Sequence, residues 1–353
     1  LQKLEKLVKK AGIENIDFEN KYTAIKIHFG EPGNLAYLRP NYSKVIVDLV
    51  KKLGGKPFLT DCNTLYVGGR KNALDHLDSA YVNGYNPFTT GCHIIIADGL
   101  KGTDEQYVEI NQEYVKTAKI GRAIMDADVI ISLNHFKGHE GTGFGGAIKN
   151  IGMGCGSRAG KMEMHSSGKP NVIPENCRKC KQCIKICAHG AISYNEEGKA
   201  VIDHNKCVGC GRCIGICNFD AIKSPNDEAA DILNKKMAEY ALAVVKDKPQ
   251  FHISLICDVS PNCDCHGEND APIVPNIGML ASFDMVALDK ACADLVNKQE
   301  VFENSYLAEQ MKKGVHEKDL FHCNHPETNW ESQIEHGEEI GLGTQEYELI
   351  EVK

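Results

Sequence analysis

The chain of 353 residues carries 42% hydrophobic and 25% charged side chains, a balance that excludes disorder and a collagen-like fibre and suits one large domain or two smaller ones. Forty basic against forty-eight acidic residues give a formal net charge of −8, which argues against a phosphate backbone as the main partner, so no nucleic acid is expected. No apolar run approaches the roughly 18 residues of a membrane span, and the opening LQKLEKLVKKAG lacks the apolar core of a secretory signal, so a cytoplasmic location is expected, although an opening on Leu1 rather than Met leaves room for a segment removed before it.

In chain order, Thr23–His28 reads as a strand, followed by a helix at Asn41–Leu53 that stops at Gly54-Gly55. Strands at Pro57–Asp61, His93–Ala97 and Asp128–Leu133 alternate with helices at Lys71–Asn83 and Ile120–Asp126. Beyond a cysteine-rich stretch the pattern resumes with a helix at Ala229–Lys246 and a strand at His252–Asp258. Several of these strands are almost wholly apolar, as strands covered on both faces are. The alternation predicts an α/β fold with a mostly parallel sheet flanked by helices.

The loop after Asp128–Leu133 is rich in chemistry: Asn134-His135-Phe136-Lys137-Gly138-His139-Glu140, then glycines at 141, 143, 145 and 146, then Ala147-Ile148-Lys149 and on to Cys155. Loops leaving the carboxyl ends of sheet strands are where open α/β folds place ligands. An extended backbone would point His135, Lys137 and His139 to one side, and the amides opening the next helix could bind an anion. Gly141-x-Gly143-x-x-Gly146 matches the dinucleotide fingerprint only formally, being separated by polar loop from the strand and lacking the acidic partner. Arg158, Lys161 and His165 follow directly, and Cys62 ends another strand; all could converge on the same cleft.

Sixteen cysteines are far above ordinary usage, and a chain this long needs no disulfide framework, which points to a reducing compartment. Eight form two runs of the pattern C-x2-C-x2-C-x3-C, namely Cys177, Cys180, Cys183 and Cys187, then Cys207, Cys210, Cys213 and Cys217. Three closely spaced thiolates wrap one cubane, and the fourth cysteine of each run ligates the cluster of the other. Two 4Fe-4S clusters are therefore expected, one on Cys177, Cys180, Cys183 and Cys217, the other on Cys207, Cys210, Cys213 and Cys187. Zinc sites usually pair two knuckles across a longer gap. Residues 168–228 resemble a bacterial two-cluster ferredoxin, with Ala188 and Asn218 where that family has proline. Arg178, Lys179, Lys181 and Lys185 crowd the first run, either as a docking face for an acidic electron carrier or as a solvated surface offsetting cluster charge.

After His252–Asp258 comes Cys263-Asp264-Cys265-His266. An extended Cys-x-Cys presents both thiols to one side, and with His135 and His139 these thiols could ligate an additional metal or cluster. The same residues could instead form a metal-free redox or acid-base site, or no site at all. Cys92, Cys257 and Cys292 read as core residues. The stretch from Glu327 to Lys353 holds eight glutamates against one lysine and reads as a mostly exposed tail with an edge strand at Tyr347–Val352. The preferred organisation is a discontinuous α/β domain, residues 1–167 and 229–353, with residues 168–228 as an inserted α+β ferredoxin-like two-cluster domain, since neither flank alone supplies enough strands.

The segments Asn134-His-Phe-Lys-Gly-His139, Phe144-Gly-Gly-Ala-Ile-Lys-Asn-Ile-Gly-Met-Gly-Cys155, Pro261-Asn-Cys-Asp-Cys265 and Pro272-Ile-Val-Pro-Asn-Ile-Gly278 resemble the iron-sulphur centre proteins of the family called domain of unknown function 362. The resemblance runs from about Ala24 to Tyr347 and implies no substrate; the family's association with anaerobic organisms agrees with the cysteine usage. The expectation is an iron-sulphur redox protein whose clusters exchange electrons with a site formed by His135, Lys137, His139, Lys149, Cys155, Cys263 and Cys265, reducing a small anionic molecule. The alternative is an electron-transfer or maturation subunit for a protein partner such as a ferredoxin, flavodoxin or reductase, with or without homo-oligomerisation.

Overall fold

The computed structural model describes residues 1–66, 68–166, 169–207, 209, 211–223, 229–315 and 318–353. Helix α1 (Gln2–Lys10) leads into strand β1 (Tyr22–Lys26), helix α2 (Pro40–Lys52), strand β2 (Lys56–Asp61), helices α3 (Ala73–Val82) and α4 (Pro87–Thr90), and strand β3 (Ile94–Ile96). A hairpin of β4 (Glu105–Glu109) and β5 (Thr117–Gly121) precedes α5 (Arg122–Met125) and the longer strand β6 (Val129–His135). A second hairpin, β7 (Lys137–His139) with β8 (Gly143–Gly145), opens onto α6 (Ala147–Cys155) and α7 (Arg158–His165). The cysteine-rich segment contains β9 (Asn171–Val172), α8 (Gln182–Ile186), β10 (Ile192–Tyr194), β11 (Ala200–Ile202), α9 (Arg212–Ile216) and β12 (Ile222–Lys223). The chain closes with α10 (Ala230–Val245), β13 (Gln250–Ile256), β14 (Gly278–Ser282), α11 (Met285–Val296), α12 (Tyr306–Lys312), α13 (Leu320–Asn324) and α14 (Glu331–Glu339).

Six strands form one sheet in the order β14-β13-β6-β1-β2-β3, parallel except for β14. The predicted strands and helices recur within a few residues, because their apolar content suits burial on both faces. Ile25, Ile131 and Ile253 pack toward α1, α2 and α3 with Val8, Ile46 and Ala80, while Ala24 and Ile130 face α6, α10, α11 and α14 with Ile151, Met237, Val286 and Ile334. Helix α2 begins on Pro40 and ends against Gly54, whose φ of +85° glycine adopts without strain.

Two expectations change. The helix at Ile120–Asp126 shrinks to α5, because Thr117–Gly121 pairs with β4 instead. The stretch Tyr347–Val352 forms no strand. The acidic stretch is exposed at seven of its eight glutamates, as expected, while α14 buries Ile334 and His336 against α10, with His336 Nε2 3.0 Å from Glu239. Among the described residues no helix is long and apolar enough to cross a membrane.

In the cysteine-rich segment, β9 and β12 pair antiparallel, Val172 opposite Ile222, so its two ends lie side by side. A separate apolar cluster of Ile192, Ala200, Ile214 and Ile222 fills it, joined by Met162 of α7.

Candidate functional site

The chain runs from β1 outward through β2 and β3, then returns to the other side of β1 to lay down β6 and β13. Loops after β1 and β6 therefore part in opposite directions and leave a crevice at their carboxyl ends. A cavity of about 480 Å³ occupies it. Its wall takes Lys26 and His28 from the end of β1, Asp61 and Cys62 from β2, His135, Lys137 and His139 from β6 and β7, Lys149 and Asn150 from α6, Lys161 and His165 from α7, and Cys265 and His266 from the loop after β13. Asp220 and Lys223 of the cysteine-rich segment complete it.

The loop after β13 is anchored by Asp264, which is fully buried between the two cysteines. Its carboxylate accepts from His135 Nδ1 at 2.9 Å, and Lys137 Nζ stands 3.7 Å away. Burial works against this charge, but His135, Lys137 and His28 outweigh it and hold the carboxyl well below the ordinary range. The other ring nitrogen of His135 donates to the Cys257 carbonyl at 2.9 Å. With both nitrogens engaged, His135 positions the loop and stands apart from the thiols as a metal ligand. Gly138 makes this contact attainable, since a Cβ there would lie 2.2 Å from the Pro261 oxygen.

The loop is a turn in place of the extended Cys-x-Cys expected: the His266 amide donates to the Cys263 carbonyl at 3.2 Å, and the sulfurs of Cys263 and Cys265 lie within 4.8 Å of each other. Lys149 Nζ donates to Cys263 Sγ at 3.6 Å. A hydrogen bond from Cys265, together with Lys149, Lys137 and His139, holds the Cys263 thiol well below its ordinary range despite burial, and Cys265 is driven correspondingly up. Burial alone would discharge Lys149, yet the two sulfurs and Glu140 raise its ammonium above the usual value. His139 Nδ1 accepts from the amides of Gly141 and Thr142 at 2.9 and 3.1 Å. Glu140 and His266 pair at 2.8 Å; burial opposes the Glu140 charge, but the His139 and His266 rings hold its carboxyl at about 2. Donor atoms of His139, Cys263 and Cys265, and of Glu140, Cys265 and His266, form two groups each within 4.8 Å.

The opposite wall is a buried polar network. Lys26 pairs with Asp61 at 3.0 Å and donates to Asn150 at 2.7 Å. Arg70 joins Glu31 at 2.9 Å and approaches Asp61 at 3.6 Å. Lys161 Nζ is held by the carbonyls of Gly154 and Gly156. Burial and the neighbouring His139, Lys149 and Lys161 push His165 down to about 4, leaving a neutral imidazole at neutral pH. Of these groups, sequence reasoning singled out Lys161, His165 and Cys62 but passed over His28, Lys26, Asp61 and Arg70. Position at the ends of β1 and β2 was the only signal for Lys26, His28 and Asp61, and Arg70, in the loop between β2 and α3, had none.

Two expected features lie elsewhere. Cys155 is fully buried behind Cys62, whose thiol donates to its carbonyl at 3.4 Å, and burial pushes its own thiol up to about 12. The amides opening α6 are also taken: Asp289 accepts from Ala147 and Ile148 at 2.7 and 2.9 Å, so they bind no external anion.

The cysteine runs gather crosswise. Cys177, Cys180, Cys183 and Cys217 line one small cavity; Cys187, Cys207 and Cys213 line another, and Cys210 lies outside the described residues. Amides of Ala200, Ala191 and Ala221 donate to the sulfurs of Cys177, Cys187 and Cys217 at 3.5, 3.4 and 3.3 Å. The backbone repeats with the sequence: Lys179 and Lys181 share positive φ with Gly209 and Gly211, a conformation that turns successive amides inward as an anion nest. Cysteines and inward amides in this disposition suit anionic clusters. Lys71 Nζ donates to the Cys217 carbonyl at 2.5 Å, and buried Arg158 donates to the Lys71 carbonyl, tying the segment to the α/β part.

The family described as Domain of unknown function (DUF362) matches residues 23–294. A thylakoid-associated protein of Synechocystis sp. is 27% identical over 124 residues, 35% of this chain and 35% of that protein. Among solved structures, the lactate racemase apoprotein from Thermoanaerobacterium thermosaccharolyticum matches 82% of this chain and 54% of its own, with a TM-score of 0.44 and 13% identity. A Thermotoga maritima protein matches 84% of this chain and 57% of its own, with a TM-score of 0.42 and 14% identity. The chain thus spans about a third of the curated relative and little more than half of each solved one.

Proposed function

We propose a function from one premise: the chain belongs to the family described as domain of unknown function 362. It is an iron-sulphur redox protein in which residues 168–228 form a ferredoxin-like insertion with two 4Fe-4S clusters, and the discontinuous α/β domain, residues 1–167 and 229–353, reduces a small anionic substrate. The observation that carries this reading is the crosswise gathering of the cysteine runs beside a cavity that Asp220 and Lys223 of the same segment help to line. Cys177, Cys180, Cys183 and Cys217 would hold one cluster; Cys187, Cys207, Cys210 and Cys213 the other. When bound, the clusters supply electrons one at a time.

The chain's own residues define the rest. Lys149 and Lys161 present ammonium groups to an anionic substrate. His135 and Lys137, locked on Asp264, hold the Cys-x-Cys loop at the cavity wall. The exposed Arg178, Lys179, Lys181 and Lys185 around exposed Cys180 favour a second reading, an electron-transfer or maturation subunit docking an acidic redox partner on this face.

Iron, labile sulfide, zinc and nickel measured per chain on protein purified without oxygen test the proposal. About eight irons with matching sulfide are expected. Stoichiometric zinc with no sulfide would overturn it.

A further inference from the structure

The donor groups around Cys265 invite a metal, yet three contacts argue for different chemistry. His139 Nδ1 is spent on the amides of Gly141 and Thr142, so the ring carries its hydrogen on Nε2 and donates it to Cys263. A metal-ligating histidine shows the reverse, donating from the nitrogen that faces away from the metal. Lys149 places a buried ammonium 3.6 Å from Cys263 Sγ, where its charge would repel a metal cation bound to that sulfur. Glu140 Oε1 is engaged by His266 Nε2 at 2.8 Å, which leaves only the Oε2 of that carboxylate without a partner. What remains is a pair of thiols whose sulfurs lie within 4.8 Å of each other, with two N–H donors, from Lys149 and His139, on the inner one. The pair is also asymmetric in access: Cys263 is 1% exposed, whereas half-buried Cys265 lines the cavity.

We propose that Cys263 and Cys265 are a dithiol–disulfide couple whose substrate is an anionic disulfide, with Cys265 as the attacking thiol and Cys263 as the resolving one. Cys265 passes its proton to the Cys263 thiolate as it attacks, a mixed disulfide forms on Cys265, and the first substrate sulfur leaves as thiolate. Cys263 then attacks Cys265 Sγ, its proton leaving with the second substrate sulfur. Overall, one thiolate, one thiol and one substrate disulfide give the protein disulfide, one substrate thiolate and one substrate thiol. Two electrons and one proton restore the couple. The inference rests on the redox reading above for the source of those electrons in the cell; in the test a trialkylphosphine and water supply them, the phosphine becoming its oxide.

The test uses the full chain, purified without oxygen and treated with 3,3′-dithiodipropionate. Peptide mass mapping is expected to find two hydrogens lost from the peptide spanning Cys263 and Cys265, with both substrate sulfurs released as 3-mercaptopropionate and the loss reversed by phosphine. The neutral hydroxyethyl disulfide should react roughly tenfold more slowly, because the lysine-lined cavity attracts the anion. Cys263→Ser should stop at a mixed disulfide on Cys265, and Cys265→Ser should form none there. An unmodified pair in the wild-type chain, or one tightly held zinc per chain that Cys265→Ser abolishes, would overturn the proposal. Since the peptide is read directly, missing labile sulfide defeats the cluster reading alone, and a missing disulfide defeats this one alone.

Discussion

Asp264 shows how much one carboxylate can organise. It stands between two thiols in the chain, and its partners His135 and Lys137 come from a distant stretch. Asp264→Asn would leave a buried imidazole and ammonium without their counter-charge, costing roughly 3–5 kcal/mol, to be read as a lower denaturant midpoint. Because the folded-state carboxyl lies below its unfolded value, its stabilisation is present above the unfolded value of 3.8 and is lost as pH falls toward the folded one. The variant should therefore lose part of the acid limb of the wild-type stability profile. His135, His139, Lys137, Lys149, Cys263 and Cys265 were legible because alternation and spacing mark them. Asp264 was not: a lone aspartate between cysteines carries no signal until its partner strand is known.

At the scale of the element, the amino terminus of α6 looked like an anion site and proves to be capped from within. Gly146 allows this, since a Cβ there would lie 2.2 Å from Asp289 Oδ1. Burial pushes the Asp289 carboxyl up to about 7, even though the two amides favour its charge. A carboxyl raised in the folded state contributes stability below the unfolded value of 3.8 and loses it as pH rises through about 7. Asp289→Asn should flatten the fall in thermal midpoint across that window, and it should lower the midpoint overall because one amide of α6 loses its acceptor. Equal slopes for variant and wild type would refute the assignment.

Across the whole molecule, the cysteine-rich segment and the α/β part are locked by Arg158. Its side chain is 1% exposed, a Cβ on Gly215 would lie 1.5 Å from its Nη1, and it donates to the carbonyl of Lys71, whose own ammonium reaches Cys217. A hydrogen bond from a charged group contributes about 1.5–3 kcal/mol. Arg158→Ala should therefore raise protease nicking within residues 169–223 roughly ten- to a hundredfold. Unchanged nicking would mean that Lys71 and the apolar contacts of Met162 hold the segment without Arg158.

The sequence by itself determined the five parallel strands of the sheet, the α/β class, the two cysteine runs and most of the chemistry-bearing residues, because hydrophobic period and residue spacing are local properties of the chain. It did not reveal that β4 and β5 pair, that Asp289 reaches back to α6, that Cys155 turns into the core, or that Lys26, His28, Asp61 and Arg70 complete the cavity. Those outcomes depend on which strand lies beside which. The reversal of direction at β1 brings the ends of β1, β2 and β6 to one crevice, and only the assembled sheet decides which buried charges meet there.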